Sequence, residues 1–222
     1  MVNPKLRQLL ICLHESEGIG WKTIDKLNQL GLQNPSQLKS NLTNQLAKEM
    51  KLQERQVKQI HKLLNAYIWD KEELNPRPER VGNDGYSIHT LTVWDKKYPD
   101  LLKRIHEAPW VLYAKGHLDV LTQPCVAIVG TRTPTYYGKK VAFKLAYELA
   151  AQGFCIVSGL ARGIDAAAHQ GAIEAGGSTI AVLGTGLDRV YPRDHGKLME
   201  KVIQNGLALT EYPIGTPSSA GM

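Results

Sequence analysis

Residues 125–184 read CVAIVGTRTPTYYGKKVAFKLAYELAAQGFCIVSGLARGIDAAAHQGAIEAGGSTIAVLG. Short apolar runs alternate here with longer runs of helical spacing. Cys125–Gly130 is continuously apolar, rich in β-branched residues and closed by glycine, the pattern of a buried strand. Gly138 to Gln152 carries Val141, Leu145 and Leu149 on one face, with Ala142, Ala146 and Ala150 beside them, which predicts a helix. Phe154 to Ser158 reads as the next strand, Asp165 to Ala175 as a helix and Ser178 to Leu183 as a strand. Further on, Asp194 to Gln204 has helical spacing and Gly206 to Thr210 reads as a last strand. Strands alternating with helices of about 10–15 residues predict an α/β, Rossmann-like fold. The expected sheet is mostly parallel, with helices on both faces.

In open α/β sheets, ligands bind at the carboxyl ends of the strands. The first end carries Gly130, Thr131 and Arg132, and runs through a Tyr136-Tyr137-Gly138 triplet into Lys139 and Lys140. The second carries Ser158, Gly159, Arg162 and Gly163; the third carries Gly184, Thr185 and Gly186. Glycine allows a ligand backbone to approach, helix N-termini offer amides to anions, and arginine can grip phosphate oxygens with both arms of its fork. One such turn is an ordinary tight turn; the set of three describes a phosphate-binding crevice. Tyr136, Tyr137 and Tyr191 are candidates for stacking against bases, with plain packing as the alternative. Lys139 sits where a cation opposes the helix dipole, which a phosphate partner would explain and a solvated helix end would equally well. No GxGxxG follows the first strand and no GxxxxGK[ST] occurs, which disfavours ordinary dinucleotide binding and P-loop hydrolysis. No cofactor is expected.

Asp165 and His169 lie i, i+4 on a predicted helix. No second carboxylate pair, nucleophile–base pair or metal-ligand cluster accompanies them. Asp165 reads as a residue that caps or starts the helix, and His169 as one that is hydrogen-bonded to it or packs on the sheet. No catalytic or metal-binding residues are expected, and the protein is not expected to be an enzyme.

Upstream, residues 1–75 read as a helical domain. Leu6, Leu9, Leu10 and Leu13 follow helical spacing; Gly18-Ile19-Gly20 breaks that helix, and a second runs from Trp21 to Leu30. Asn34-Pro35-Ser36 opens a short helix, and Gln53 to Leu74 forms a longer amphipathic one. Glu17-Gly18-Ile19-Gly20 resembles the turn of a helix–hairpin–helix, which presents amides to phosphate; a plain turn or a protein-interaction role fits as well. Residues 76–90, opened by Asn75-Pro76-Arg77-Pro78, read as a linker, and residues 91–222 as the Rossmann-like domain.

The net charge is +6 and the pI about 9.1, which favours a polyanionic partner modestly. Hydrophobic residues make up 43%, enough for a packed core. Cys12, Cys125 and Cys155 stand far apart in apolar contexts and read as reduced, buried thiols of a cytoplasmic protein. The N-terminal apolar run lacks a signal-peptide cleavage site, and no run is long enough to span a membrane.

The motifs VAIVGTR, YYG, IVSGLARGIDAAAH, TIAVLGTGLDRVYP and LTEYPIGTP, in this order and spacing, resemble the DprA/Smf family. The likeness covers roughly Leu91 to Pro217, including YPDLLKRIHEAPWVLYAKG at Tyr98 to Gly116, and is weaker in the helical region. It implies a domain that binds single-stranded DNA without marked sequence preference, protects incoming strands during natural transformation, and helps load the RecA recombinase. Carried over by motif, Gly130, Thr131 and Arg132 match the family's Gly-Ser-Arg phosphate site, with Thr131 in place of serine. Ser158, Gly159 and Gly163 match its second motif, which includes Arg162; Gly184, Thr185 and Gly186 match its third. The helical domain is expected to be of the SAM or helix–hairpin–helix kind. Family members continue past this sequence with Asn-Phe-Pro and Arg-Asn-Arg-Ile segments. The expectation is therefore a C-terminally truncated member, with an incomplete homodimer surface and a strand 206–210 that lacks a neighbour. The alternative is a related Rossmann-like enzyme of the nucleoside-monophosphate phosphoribohydrolase type, which would use the crevice for a nucleotide's phosphate. It should carry a catalytic glutamate that the motifs here do not supply.

Overall fold

The computed structural model describes residues 3–49, 51–69 and 85–216. The end of the expected long helix and most of the expected linker, residues 70–84, lie outside them, as do residues 217–222. The described chain forms two compact units: residues up to 69 together with 92–111, and residues 85–91 together with 112–216.

The first unit is helical. Helix α1 (Pro4–His14) starts where the Asn3 side chain accepts the Lys5 N–H at 2.9 Å, with proline at the first turn. Helix α3 (Pro35–Asn41) repeats the device with Asn34. Between them lies α2 (Trp21–Gln29), and α4 (Asn44–Glu49) and α5 (Glu54–Trp69) follow. Leu9, Leu10, Leu13, Ile24, Leu27, Leu38, Ile60 and Leu64 are fully buried and form the core, as the helical spacing of α1 and α5 anticipates.

Residues 92–111 belong to this unit, where the sequence reading put them with the sheet. The Arg7 guanidinium Nε lies 3.1 and 3.0 Å from the two Asp95 oxygens. The Trp21 indole donates to Ala108 O at 2.7 Å, and its ring lies 6.3 Å from that of Trp110.

The second unit is a six-stranded sheet with the order β1-β2-β6-β5-β4-β3. The strands are β1 (Ile88–Thr92), β2 (Val111–Gly116), β3 (Cys125–Ala127), β4 (Cys155–Ser158), β5 (Thr179–Val182) and β6 (Gly206–Thr210). Helices α6 (Tyr136–Ala151), α7 (Ile164–Glu174) and α8 (Gly196–Asn205) connect β3 through β6. These last four strands pair in parallel, and β2 pairs with β6 antiparallel. The α/β, mostly parallel character matches the sequence reading.

Three details differ. Strand β6 does not lack a neighbour: Tyr113 to Gly116 of β2 pair with Thr210 to Leu207, so all five β6 residues are buried. The expected buried strand over 125–130 is the three-residue β3, with Cys125 and Ala127 exposed and Val126 half-buried. Strands β3 to β6 stand side by side in sequence order. Helix α7 packs against both α6 and α8, and Ala146, Ala150, Ala168 and Ala172 close on Ile156 of β4. Finally, Cys125 is exposed, whereas Cys12 and Cys155 are buried. The pairing of β3 stops at one partner strand, which leaves Cys125 at the sheet edge.

Candidate nucleic-acid interface

The loops that follow β3, β4 and β5 meet at one end of the sheet around a cavity of about 370 Å³. Of the residues proposed from sequence, Arg132, Gly159, Arg162, Gly184 and Thr185 line it. Gly130, Thr131, Lys139, Ser158, Gly163 and Gly186 do not, and the structure shows what most of them do instead.

The organising group is the Asp165 carboxylate. It lies in the first turn of α7, where the helix dipole favours negative charge, and is only 6% exposed. Its Oδ1 accepts the Gly130 N–H at 3.3 Å and its Oδ2 accepts the Gly159 N–H at 3.1 Å. One side chain thus ties the ends of β3 and β4 together. Gly159 has no Cβ because one would lie 2.8 Å from Asp165 Oδ2.

The loop from Gly159 to Gly163 then turns sharply. Leu160 is buried with φ +58°, and Gly163 has φ +85°, where a Cβ would also meet Thr131 O and Pro134. The Ile164 N–H donates to Thr131 O at 3.2 Å, which fastens this loop to the first. Ser158 is buried, and its hydroxyl donates to Ile128 O at 2.7 Å. Thr131 Oγ1 accepts the Thr133 N–H at 3.2 Å, and Thr135 Oγ1 caps α6 through the Gly138 N–H at 3.1 Å. Thr185 is nearly buried and donates to Arg189 O at 3.0 Å. Gly186 sits where a Cβ would lie 2.7 Å from Pro213 O, so it permits the close return of the chain after β6.

The two arginines of the crevice differ in state. Arg162 makes a two-armed pair with Asp194, Nε to Oδ2 at 3.2 Å and Nη2 to Oδ1 at 2.9 Å, with both side chains more than half exposed. The hydrogen bond from Arg162 holds the Asp194 carboxyl below the usual carboxylate range. Arg132 is exposed and has no carboxylate partner among the described residues. Thr133, Tyr191 and Tyr212 add polar tips to the lining, and Ala161, Leu183 and Pro192 its apolar part; Tyr191 is 52% exposed and precedes a cis peptide to Pro192. No carboxylate lines the cavity among the described residues. Thr133, Tyr212 and Asp194 escaped the sequence reading; only the Tyr212-Pro213 step, inside a quoted motif, hinted at one of them.

His169 packs on the sheet and does not touch Asp165. It is fully buried, with Nδ1 2.7 Å from Thr179 Oγ1, and that hydroxyl donates to Ile156 O at 2.7 Å. With the hydroxyl proton committed, Nδ1 carries the ring proton, and Nε2 is left as a buried acceptor without a partner. Burial, with His195 nearby, pushes the imidazole down to about 4. No cluster of potential metal ligands occurs among the described residues.

The model of the family described as DNA recombination-mediator protein A matches residues 89–222, more than half of the chain. The chain belongs to this family. It is 42% identical over 165 residues to protein Smf of Synechocystis, covering 72% of this chain and 42% of that protein. It is also 42% identical over 127 residues to the DNA processing protein DprA of Bacillus subtilis, covering 57% and 43%. The chain thus spans less than half the length of these relatives. Among solved structures, DprA of Streptococcus pneumoniae aligns with a TM-score of 0.60 at 32% identity, over 91% of this chain and 71% of that one. DprA of Helicobacter pylori, whose structure was reported for its single-stranded DNA binding mode, aligns with a TM-score of 0.54 at 36% identity, over 62% and 61%.

Proposed function

We propose that this chain binds single-stranded DNA at the strand-end crevice and acts in DNA processing during natural transformation. The observation that carries the reading is Arg132. It is an exposed guanidinium that lines the cavity and, among the described residues, has no carboxylate partner and no carboxylate beside it in the lining, in a family whose Helicobacter pylori member binds single-stranded DNA. In this reading Arg132 and Arg162 take successive phosphates, and Gly159, Gly184 and Thr185 leave room for the strand. Gly130, Thr131, Ser158, Gly163 and Gly186 shape the loops, and Lys139 adds charge at the start of α6. Contacts of this kind go to the backbone, so binding is insensitive to base sequence. Protection of incoming strands and delivery to the RecA recombinase extend the same reading from the family. The phosphoribohydrolase alternative needs a carboxylate in the cavity, and among the described residues none lines it.

Titration of fluorescent oligo-dT at two salt concentrations tests the proposal. Parent protein should bind with a salt-dependent affinity. Arg132→Ala should bind roughly tenfold more weakly, with the slope of log K against log salt flatter by about 0.7. Saturation by a mononucleotide with release of its base would instead support the enzyme.

A further inference from the structure

Helix α6 presents a face that the crevice alone leaves unused. At about 100° per residue, Phe143, Tyr136, Tyr147, Lys140, Lys144 and Tyr137 fall within one band about 120° wide. The buried side, which begins beside Phe143, carries Ala142, Ala146 and Ala150; Ala146 and Ala150 pack with Ala168 and Ala172 of α7 and Ile156 of β4. The band is open: Tyr136 is 83% exposed, Tyr137 76% and Tyr147 43%, and both lysines are exposed. Phe143, half-buried, stacks on Tyr147 with ring centroids 6.4 Å apart and planes 21° from parallel, which fixes the orientation of the outer ring. None of the three tyrosines makes a hydrogen bond among the described residues.

We infer that this face of α6 is a track for the single strand as it leaves the crevice, with the tyrosine rings stacking on bases and Lys140 and Lys144 meeting phosphates. The inference rests on the crevice reading proposed above and extends it to a second set of residues. Two observations select a nucleic acid over a protein partner. Cations and aromatic rings are interleaved within the band, which holds no carboxylate; Glu148 follows about 20° beyond its Tyr137 edge, and the aliphatic Val141 and Leu145 lie farther round. That composition pairs phosphate-seeking charge with platforms for bases of any identity. Glu148 reaches Lys144 only at 3.6 Å with both side chains largely exposed, a weak pair that a phosphate can displace. The second observation is continuity. Arg132 and Thr133 line the cavity, and Tyr136 opens α6 three residues later, so a strand seated on Arg132 meets the first ring of the track.

The distal part of the track is tested with oligo-dT of about 4 and about 16 nucleotides, the limits of a typical single-strand groove. The parent should bind both, the longer more tightly. Tyr147→Ala should lose about fivefold or more on the long oligomer and nothing on the short one. Lys140→Gln with Lys144→Gln should flatten the salt slope by about 1.4 on the long oligomer only. The lysine pair is wholly on the surface, so it decides the matter even where Tyr147→Ala melts early. Unchanged long-oligomer binding in both variants overturns the track and assigns the face to a protein partner or to solvent. An equal loss on both lengths also overturns it. Failure of the parent to bind either oligomer refutes the crevice reading itself, a separate outcome.

Discussion

Acidification should remove about 3 kcal/mol of stability from the sheet through one side chain, His169. In the folded chain its ring is neutral: burial deprives a charged imidazole of water, and the Thr179 hydroxyl, committed to Ile156 O, accepts the single Nδ1 proton. A proton on Nε2 would find no acceptor there. In the unfolded chain the same ring takes a proton below about pH 6.5. The unfolded state therefore binds more protons between pH 6.5 and about 4, and folding stability falls as pH drops through that window. The contribution is fully present above pH 6.5, and the interval down to about 4, at about 1.4 kcal/mol per pH unit, gives about 3 kcal/mol. For a small domain this is a large fraction of the whole. Urea unfolding followed by far-UV circular dichroism, repeated across this window, measures it against His169→Gln. Glutamine keeps an N–H for Thr179 and does not titrate. The variant should start less stable at neutral pH, and the gap should close as the pH falls. Parallel pH profiles for parent and variant would refute the reasoning, as would a His169 ring resonance that titrates near 6.5.

Three further outcomes follow from the same geometry. Asp194→Asn releases Arg162 from its two-armed pair, so affinity for oligo-dT should rise severalfold and the salt slope steepen by about 0.7; a fall in affinity would show that the pair orients the arginine for its ligand. Asp165→Asn sets charge against geometry: removing an anion near the crevice should tighten phosphate binding, but an amide cannot accept both the Gly130 and Gly159 N–H groups. Geometry should prevail, with about 2 kcal/mol lost in thermal unfolding and weaker oligo-dT binding, and tighter binding would contradict it. In the native protein a thiol reagent should label Cys125 quickly and spare Cys12 and Cys155, whose thiols burial pushes up to about 11 and about 12; labelling of all three at one rate would contradict the burial pattern.

The strands and helices of residues 125–210 were legible because each is a local pattern. The short apolar runs mark the strands, and α6, α7 and α8 declare themselves by their spacing; the run 125–130 misleads only about burial, since β3 is an edge strand with Cys125 and Ala127 exposed. Even the early start of α6 at Tyr136 has a local cause, the Thr135 cap. What the sequence concealed depends on distant partners. Strand β2 pairs with β6 across nearly a hundred residues, and no period in VLYAKG points to its mate. The strand order β1-β2-β6-β5-β4-β3 is also set by distant pairings, which local propensity does not encode. Likewise Asp194 lies 32 residues from the arginine it holds, in a short 3-10 turn with nothing to mark it.

The candidate site shows the same division with a chemical consequence. A glycine-rich strand end before a helix suggests backbone amides aimed at a phosphate, and the sequence supports that picture at Gly130 and Gly159. The fold supplies its own anion instead. Asp165 takes both N–H groups, as a phosphate would, and uses them to join two loops. On the proposed reading a ligand phosphate is left to the side chains around the cavity, above all Arg132, which has no carboxylate partner among the described residues. Amides in a rigid cradle select a phosphate of fixed position, as a nucleotide cofactor requires. Guanidinium groups on exposed loops follow a phosphate backbone whose position varies from one nucleotide to the next. In the proposed reading the same glycine motifs build a surface for a polymer, and the buried Asp165 carboxylate, by taking the amides a bound phosphate would use, is what turns them to that end.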